Sequence, residues 1–311
     1  MTADRPLLGI LLMVGFCAMA PLGDSIAKIL GDTIPLLQLL LVRFAAQSVL
    51  LLPFIRWGGH SLRVTPRVLK LTAIRTLLHI AGIGSLFAAL RYLPLADATA
   101  IAFVMPFIML LLGHFVLQEE VGPRRLAACA VGFIGTLLVI QPSFVEVGWP
   151  ALLPLLVALS FAFYMLVSRQ VAKECEPMVL QTISGMMATA GLAALAILTF
   201  GSDIPALGMI RPQPRDAFLL AAIGIMGTFA HLLMTWSLRF APSATLAPMQ
   251  YLEIPFATFF GWLIFHDLPD GLAALGIAIT MGAGLYVIYR ERVAASMPHR
   301  PAADGPFAGQ G

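Results

Sequence analysis

The chain has 311 residues, of which 59% are hydrophobic and 11% charged. A water-soluble domain carries about 25% charged residues, so this chain has too little polar surface to cover a soluble fold, and its apolar residues fall in the long blocks that lipid requires. The net charge of +3 is mild, and the basic residues are scattered rather than set among aromatics, so nucleic-acid binding has no footprint here.

Apolar blocks between charged or Pro/Gly breaks give ten candidate spans, roughly 7–28, 34–55, 69–90, 95–117, 124–141, 149–170, 178–200, 216–238, 242–265 and 271–290. Arg5 and Ala18-Met19-Ala20 resemble the ends of a signal peptide. Pro21 would follow the cut, however, and the apolar run continues past it, so the first block reads as an uncleaved helix. Short joints make neighbouring spans antiparallel. With the N-terminus inside, thirteen Lys and Arg lie on the inner side and four on the outer side, namely Lys28, Arg91, Arg211 and Arg215. The positive-inside rule therefore places both termini in the cytoplasm. Residues 294–311, rich in Pro, Ala and Gly, read as a disordered cytoplasmic tail.

Polar groups inside apolar spans are the informative residues, because each is expensive there and must be paired or wetted. In span one, Asp24 and Lys28 stand at i and i+4 on one face near the outer end; they pair with each other or serve an outer gate. Arg43, near the middle of span two, is either a partner for an anionic substrate group or a structural partner of Asp24 or Glu253. In span three, Arg75 and His79 are one turn apart, and Arg75 is expected to snorkel to the interface. His79 and His114 read as hydrogen-bonded packing residues. His231 in span eight, with Trp236 near it, is the better candidate for chemistry. In span nine, Gln250 and Glu253 share a face beside Pro255. A buried carboxylate can take up a proton, and Pro248 and Pro255 free backbone carbonyls that could line a cavity. Tyr164, Gln181, Trp236 and Tyr251 offer the hydrogen bonds and aromatic faces that hold planar organic molecules. Trp57 and Trp149 read as interfacial anchors.

Gly132, Gly135, Gly276, Gly282 and Gly284 suit close helix packing in spans five and ten. Of the three cysteines, Cys17 and Cys129 lie in apolar blocks as packing residues, and with Cys175 they make no CxxC motif and no complete disulfide framework. No His/Cys/Asp spacing suggests a metal.

The two halves resemble each other. Leu90-Arg91-Tyr92-Leu93-Pro94 has its counterpart in Leu238-Arg239-Phe240-Ala241-Pro242, Pro106-Phe107 in Pro255-Phe256, Glu119 in Asp267, and Val139-Ile140 in Val287-Ile288. The spacing holds five spans, and five is odd, so the second copy is inverted relative to the first. The expectation is an all-α integral membrane protein of ten transmembrane helices in two inverted five-helix repeats, 1–142 and 143–293, a recurring design of secondary transporters.

The stretch from Leu90 to Ala100, Pro106, Leu117-Gln118-Glu119-Glu120 and Gly132 to Pro142, with Asp24 to Lys28 and Arg43-Phe44, resembles the signature of EamA-type transporters of the drug/metabolite transporter superfamily. The likeness covers roughly 7–290. It implies a cofactor-free inner-membrane carrier whose end helices pack apart from the substrate path. Related carriers handle amino acids, nucleotide-like compounds, vitamins such as riboflavin, and drugs. Leu268-Pro269 stands after Asp267 where the family usually has a basic residue, so the two acidic helix ends need not play the same part. The expected function is alternating-access transport of a small organic metabolite, with possible coupling to protons, held between spans one to four and six to nine; drug or metabolite export is the alternative. A membrane-embedded lipid-modifying enzyme would need clustered acids or histidines at one face, and Glu119-Glu120 with Arg124-Arg125 is the sole such cluster, better read as a loop and helix start. Oligomeric state is not legible. A carrier predicts that several of Arg43, Gln181, His231, Gln250 and Glu253 line one polar pocket near the bilayer centre.

Overall fold

The structure is a computed structural model and describes residues 6–105, 107, 108, 112, 123–171, 174–240 and 249–296. Every regular element among them is helical. In chain order these are α1 (Pro6–Gly31), α2 (Leu36–Trp57), α3 (Pro66–Ala89), α4 (Leu95–Ala102), α5 (Pro123–Val147), α6 (Leu153–Val171), α7 (Pro177–Leu198), α8 (Pro214–Phe240), α9 (Glu253–Phe260) and α10 (Gly271–Ser296). Seven of the described helices are long and apolar enough to cross a membrane, and the stretches Glu253–Phe265 and Gly271–Ala283 are shorter apolar helices.

Helix starts follow local chemistry. Thr65 caps α3, its hydroxyl accepting from the Val68 N–H at 3.3 Å, and Pro66 occupies the first turn, where its missing N–H costs nothing. Pro177 opens α7 in the same way. Pro21, Pro53 and Pro142 sit inside continuous helices, while one proline accompanies a helix break. The ring of a helical proline clashes with the carbonyl four residues earlier. Pro255 stands four residues after Tyr251, and a turn at Tyr251–Leu252 precedes α9. A π-helical stretch, Gly261–Phe265, continues α9 and is closed by His266 in the left-handed region at φ 58°.

The helices pack in crossed pairs. α1 lies along α8, α3 along α6, α5 along α10, and α2 against both α7 and α8. Glycine permits the closest crossings. A Cβ at Gly224 would stand 2.4 Å from Ala46 Cβ, between α8 and α2, and one at Gly276 would stand 2.5 Å from the Gly135 carbonyl oxygen, between α10 and α5. Gly282, also expected at a close contact, has nothing within 4 Å of such a Cβ and faces outward. Trp57 and Trp149 are exposed near helix ends, as anchors would be.

The expected spans at 95–117 and 242–265 are described only in part, and His114, Glu119, Glu120, Pro248 and residues 297–311 of the expected tail lie outside the described residues. At its start the expected tail is helical, since α10 runs to Ser296.

Candidate functional site

One cavity lies between α1, α2, α3, α4, α6, α8 and the start of α9, with about 940 Å³ of atom-free space, part of it in the open mouth. Asp24, Arg43, His231, Gln250 and Glu253 all reach its wall. Phe16, Phe87, Phe103 and Phe161 supply aromatic surface, and Met19, Met105, Met165 and Met234 supply adaptable apolar surface. Among the described residues, none of α5 or α10 lines it.

Arg43 is buried, and its Nη2 lies 3.1 Å from His231 Nδ1. Nδ1 also lies 3.1 Å from the Gly227 carbonyl oxygen: it accepts from Arg43 when the ring proton is on Nε2 and donates to Gly227 when the proton is on Nδ1. Gly227, one turn before His231, makes room for the guanidinium, because a Cβ there would stand 2.9 Å from Arg43 Nε. Asp24 and Arg43 act on one another electrostatically, as do the like charges of Asp24 and Glu253. The wall thus carries two carboxylates, one guanidinium and one imidazole in an otherwise apolar chamber. Such a site can hold an organic body by its aromatic and thioether surface and orient it by charged groups of either sign.

Gln181 sits behind the wall. Its Nε2 donates to Thr235 Oγ1 at 2.8 Å and to the His231 carbonyl at 3.2 Å, while Gln47 Nε2 donates to its Oε1 at 3.1 Å. It therefore holds α2, α7 and α8 in register beneath His231. Tyr251 turns from the cavity into a second core cluster, its ring 5.4 Å from that of Phe103. Trp236 is half-buried and does not line the cavity, since it stands five residues beyond His231 on a helix of 3.6 residues per turn.

Three sequence expectations need correction. Asp24 and Lys28 do not pair with each other. Lys28 Nζ lies 3.1 Å from Asp267 Oδ2, donates to the Leu93 carbonyl at 3.1 Å and stands 4.8 Å over the Phe265 ring, while Asp24 faces the cavity. A tertiary partner in the segment after α9 outcompetes the weak local i,i+4 pair. Arg75 does not snorkel. It is 0% exposed, donates from Nε to Ser168 Oγ at 2.8 Å and from Nη2 to Tyr164 Oη, and stacks 4.5 Å over the Tyr164 ring. His79, expected to be hydrogen-bonded, has no hydrogen-bond partner on either ring nitrogen among the described residues and packs between aromatic rings. The Arg75–Tyr164 contact was legible only as i,i+4 spacings, His79 with Arg75 and Tyr164 with Ser168, on two separate helices. Cys17 packs in the core, its Sγ donating to the Met249 carbonyl at 3.2 Å.

The EamA-like transporter family model matches the chain twice, over residues 7–141 and 148–290. The chain belongs to the EamA-like transporter family. It is a membrane transporter of the drug/metabolite superfamily rather than an enzyme. This transporter is 27% identical over 279 residues to the S-adenosylmethionine uptake transporter of Rickettsia prowazekii, covering 89% of this chain and 91% of that one. It is 30% identical over 217 residues to the riboflavin transporter of Rhizobium johnstonii, covering 70% and 69%. A solved crystal structure, 20% identical, shares the fold with a TM-score of 0.62 over 93% of this transporter and 98% of that chain.

Proposed function

We propose that this transporter is a secondary carrier moving a small organic metabolite across the bacterial inner membrane by alternating access. The observation that carries this reading is the convergence of Asp24, Arg43, His231, Gln250 and Glu253 on one aromatic- and methionine-lined cavity. Charged groups inside lipid-spanning helices are costly and mark substrate or ion paths. Relatives named for S-adenosylmethionine and riboflavin point to ring-bearing metabolites, and the mixed charges suit a molecule carrying polar groups at its ends.

In this reading the chain has ten spans in two inverted five-helix halves with both termini cytoplasmic. The two separate family matches support the halves. So does the packing. Exchanging α1 with α6, α2 with α7, α3 with α8, α4 with α9 and α5 with α10 converts the α1–α8 contact into α6–α3, and α1–α9 into α6–α4, while α2–α7, α4–α9 and α5–α10 map onto themselves. Swapping the conformations of two such halves converts an outward-open carrier into an inward-open one. Glu253 is the proposed proton-coupling site, and Lys28 with Asp267 the proposed outer closure.

The test is uptake and efflux of labelled metabolites, S-adenosylmethionine and riboflavin among them, in cells expressing the protein and in proteoliposomes. Saturable movement of at least one, with counterflow, is expected. Equal fluxes in protein-containing and empty vesicles for the whole set reject the reading.

A further inference from the structure

The cavity ends at His231, but the buried polar structure does not. The His231 ring lies 4.5 Å from that of His79, and the His79 ring lies 4.9 Å from that of Tyr164. Tyr164 in turn accepts from Arg75, whose Nε donates to Ser168. Arg75 and His79 are four residues apart on α3, and Tyr164 and Ser168 four apart on α6, so the helices meet as a two-rung ladder. On the orientation proposed above, Arg75 lies one turn to the cytoplasmic side of His79.

Arg75 is the anomaly. It is 0% exposed, yet no carboxylate pairs with it among the described residues. Two described acids toward that end of the bundle are engaged elsewhere: Glu174 binds Arg67, and Glu176 binds Arg239. Arg75 Nη1 and both ring nitrogens of His79 have no hydrogen-bond partner among the described residues. Burying an ion costs several kcal/mol unless it is paired. Neutral side chains could bridge Ser168 and Tyr164 without that cost. The free Nη1, beside Nη2, offers the paired N–H edge that fits a carboxylate.

We propose that Arg75, with Tyr164 and Ser168 fixing its plane, is a second subsite that receives a carboxylate of the transported molecule when the His79–His231 contact parts toward the cytoplasm. This rests on the alternating-access reading and adds a substrate class to it: a metabolite bearing a single carboxylate. A phosphate dianion fits less well, because it would first have to pass Asp24 and Glu253 on the cavity wall. Arg43 stands by the outer resting place of the same group and Arg75 by the inner one, so the carboxylate moves between two guanidiniums with the imidazoles between them.

The test uses the full chain in right-side-out and inside-out vesicles with three probes: S-adenosylmethionine, its decarboxylated form and riboflavin. For S-adenosylmethionine, Arg75→Gln should raise KM from the cytoplasmic face about tenfold or more and change KM from the outer face less than about twofold. Arg75→Lys, which keeps the charge, should stay within about threefold of wild type on both faces. Decarboxylated S-adenosylmethionine should show no such difference between wild type and Arg75→Gln. A merely structural arginine would move both faces and all probes together, and that result overturns the proposal. Wild-type transport of riboflavin or the decarboxylated probe without S-adenosylmethionine overturns it too, while leaving the carrier reading intact. Wild type that moves none of the three defeats the subsite, and the carrier reading is then decided by the wider metabolite set.

Discussion

Arg43 on α2 and His231 on α8 meet at 3.1 Å across 188 residues of sequence, on a cavity wall that also carries four phenylalanines and four methionines. Gly227 is what lets them meet. Gly227→Ala would place a methyl 2.9 Å from Arg43 Nε, and the guanidinium has to shift. The substitution favours the helix by about 1 kcal/mol, so folding should survive while the contact is lost. Transport affinity is expected to fall about tenfold or more, with an unchanged elution profile in detergent. Wild-type kinetics in Gly227→Ala would remove Arg43 from the substrate path.

Glu253 and Asp24 share the cavity, and either could carry a coupling proton. The location of Glu253 beside the helix break at Tyr251–Leu252, with Gln250 on the same wall, selects it. Glu253→Gln is expected to abolish uptake driven by a pH gradient and to retain substrate counterflow, which needs no net proton movement. Unchanged pH-driven uptake in proteoliposomes would rule out coupling at this carboxylate.

The Lys28–Asp267 pair joins the end of α1 to the segment after α9. Asp267 is 39% exposed at its side chain, and rim pairs of this kind contribute about 0–1 kcal/mol. Asp267→Asn should therefore shift the balance toward the outward-open form by no more than about fivefold. The readout is the labelling rate of a cysteine placed at Ala20, on the cavity wall, by a membrane-impermeant thiol reagent added outside. A slower or unaltered rate would show that this pair does not close the outer side.

The α5–α10 seam depends on Gly135 and Gly276, each blocked by the other's backbone against an added Cβ. Gly276→Val should lower the melting temperature in detergent by several degrees, the usual scale for about 2 kcal/mol of overpacking. Gly282→Ala, with open space around it, should leave it unchanged or raise it. Because neither glycine lines the cavity, KM should hold in any Gly276→Val protein that remains folded.

Cys175, in the segment between α6 and α7, offers a pH test outside the membrane. Burial pushes its thiol pKa up, with the Glu176 carboxylate adding to the effect. The thiolate is the reactive form, so maleimide labelling should be slow at pH 7 and still rising steeply through pH 9. A rate that levels off below pH 9 would contradict this.

Much of this protein was legible before any coordinates. The long apolar blocks say that lipid is the solvent, because backbone groups in lipid must be satisfied within helices. The blocks 95–117 and 242–265 read as single spans, so the end of α4 at Ala102 and the turn at Tyr251–Leu252 were not legible. Arg43, His231, Gln250 and Glu253 stood out by cost alone. Which face of each helix looks inward was not legible. Lipid tails are as apolar as the helix–helix interior, so hydrophobic periodicity cannot separate Trp236 and Tyr251, which miss the cavity, from His231 and Gln250, which line it. The same ambiguity hid the burial of Arg75 and the choice of Asp267 as the partner of Lys28. Composition and helix-breaking chemistry set the solvent and the segments; rotation of each helix about its axis, decided by close packing at Gly224, Gly227, Gly135 and Gly276, set which charges meet.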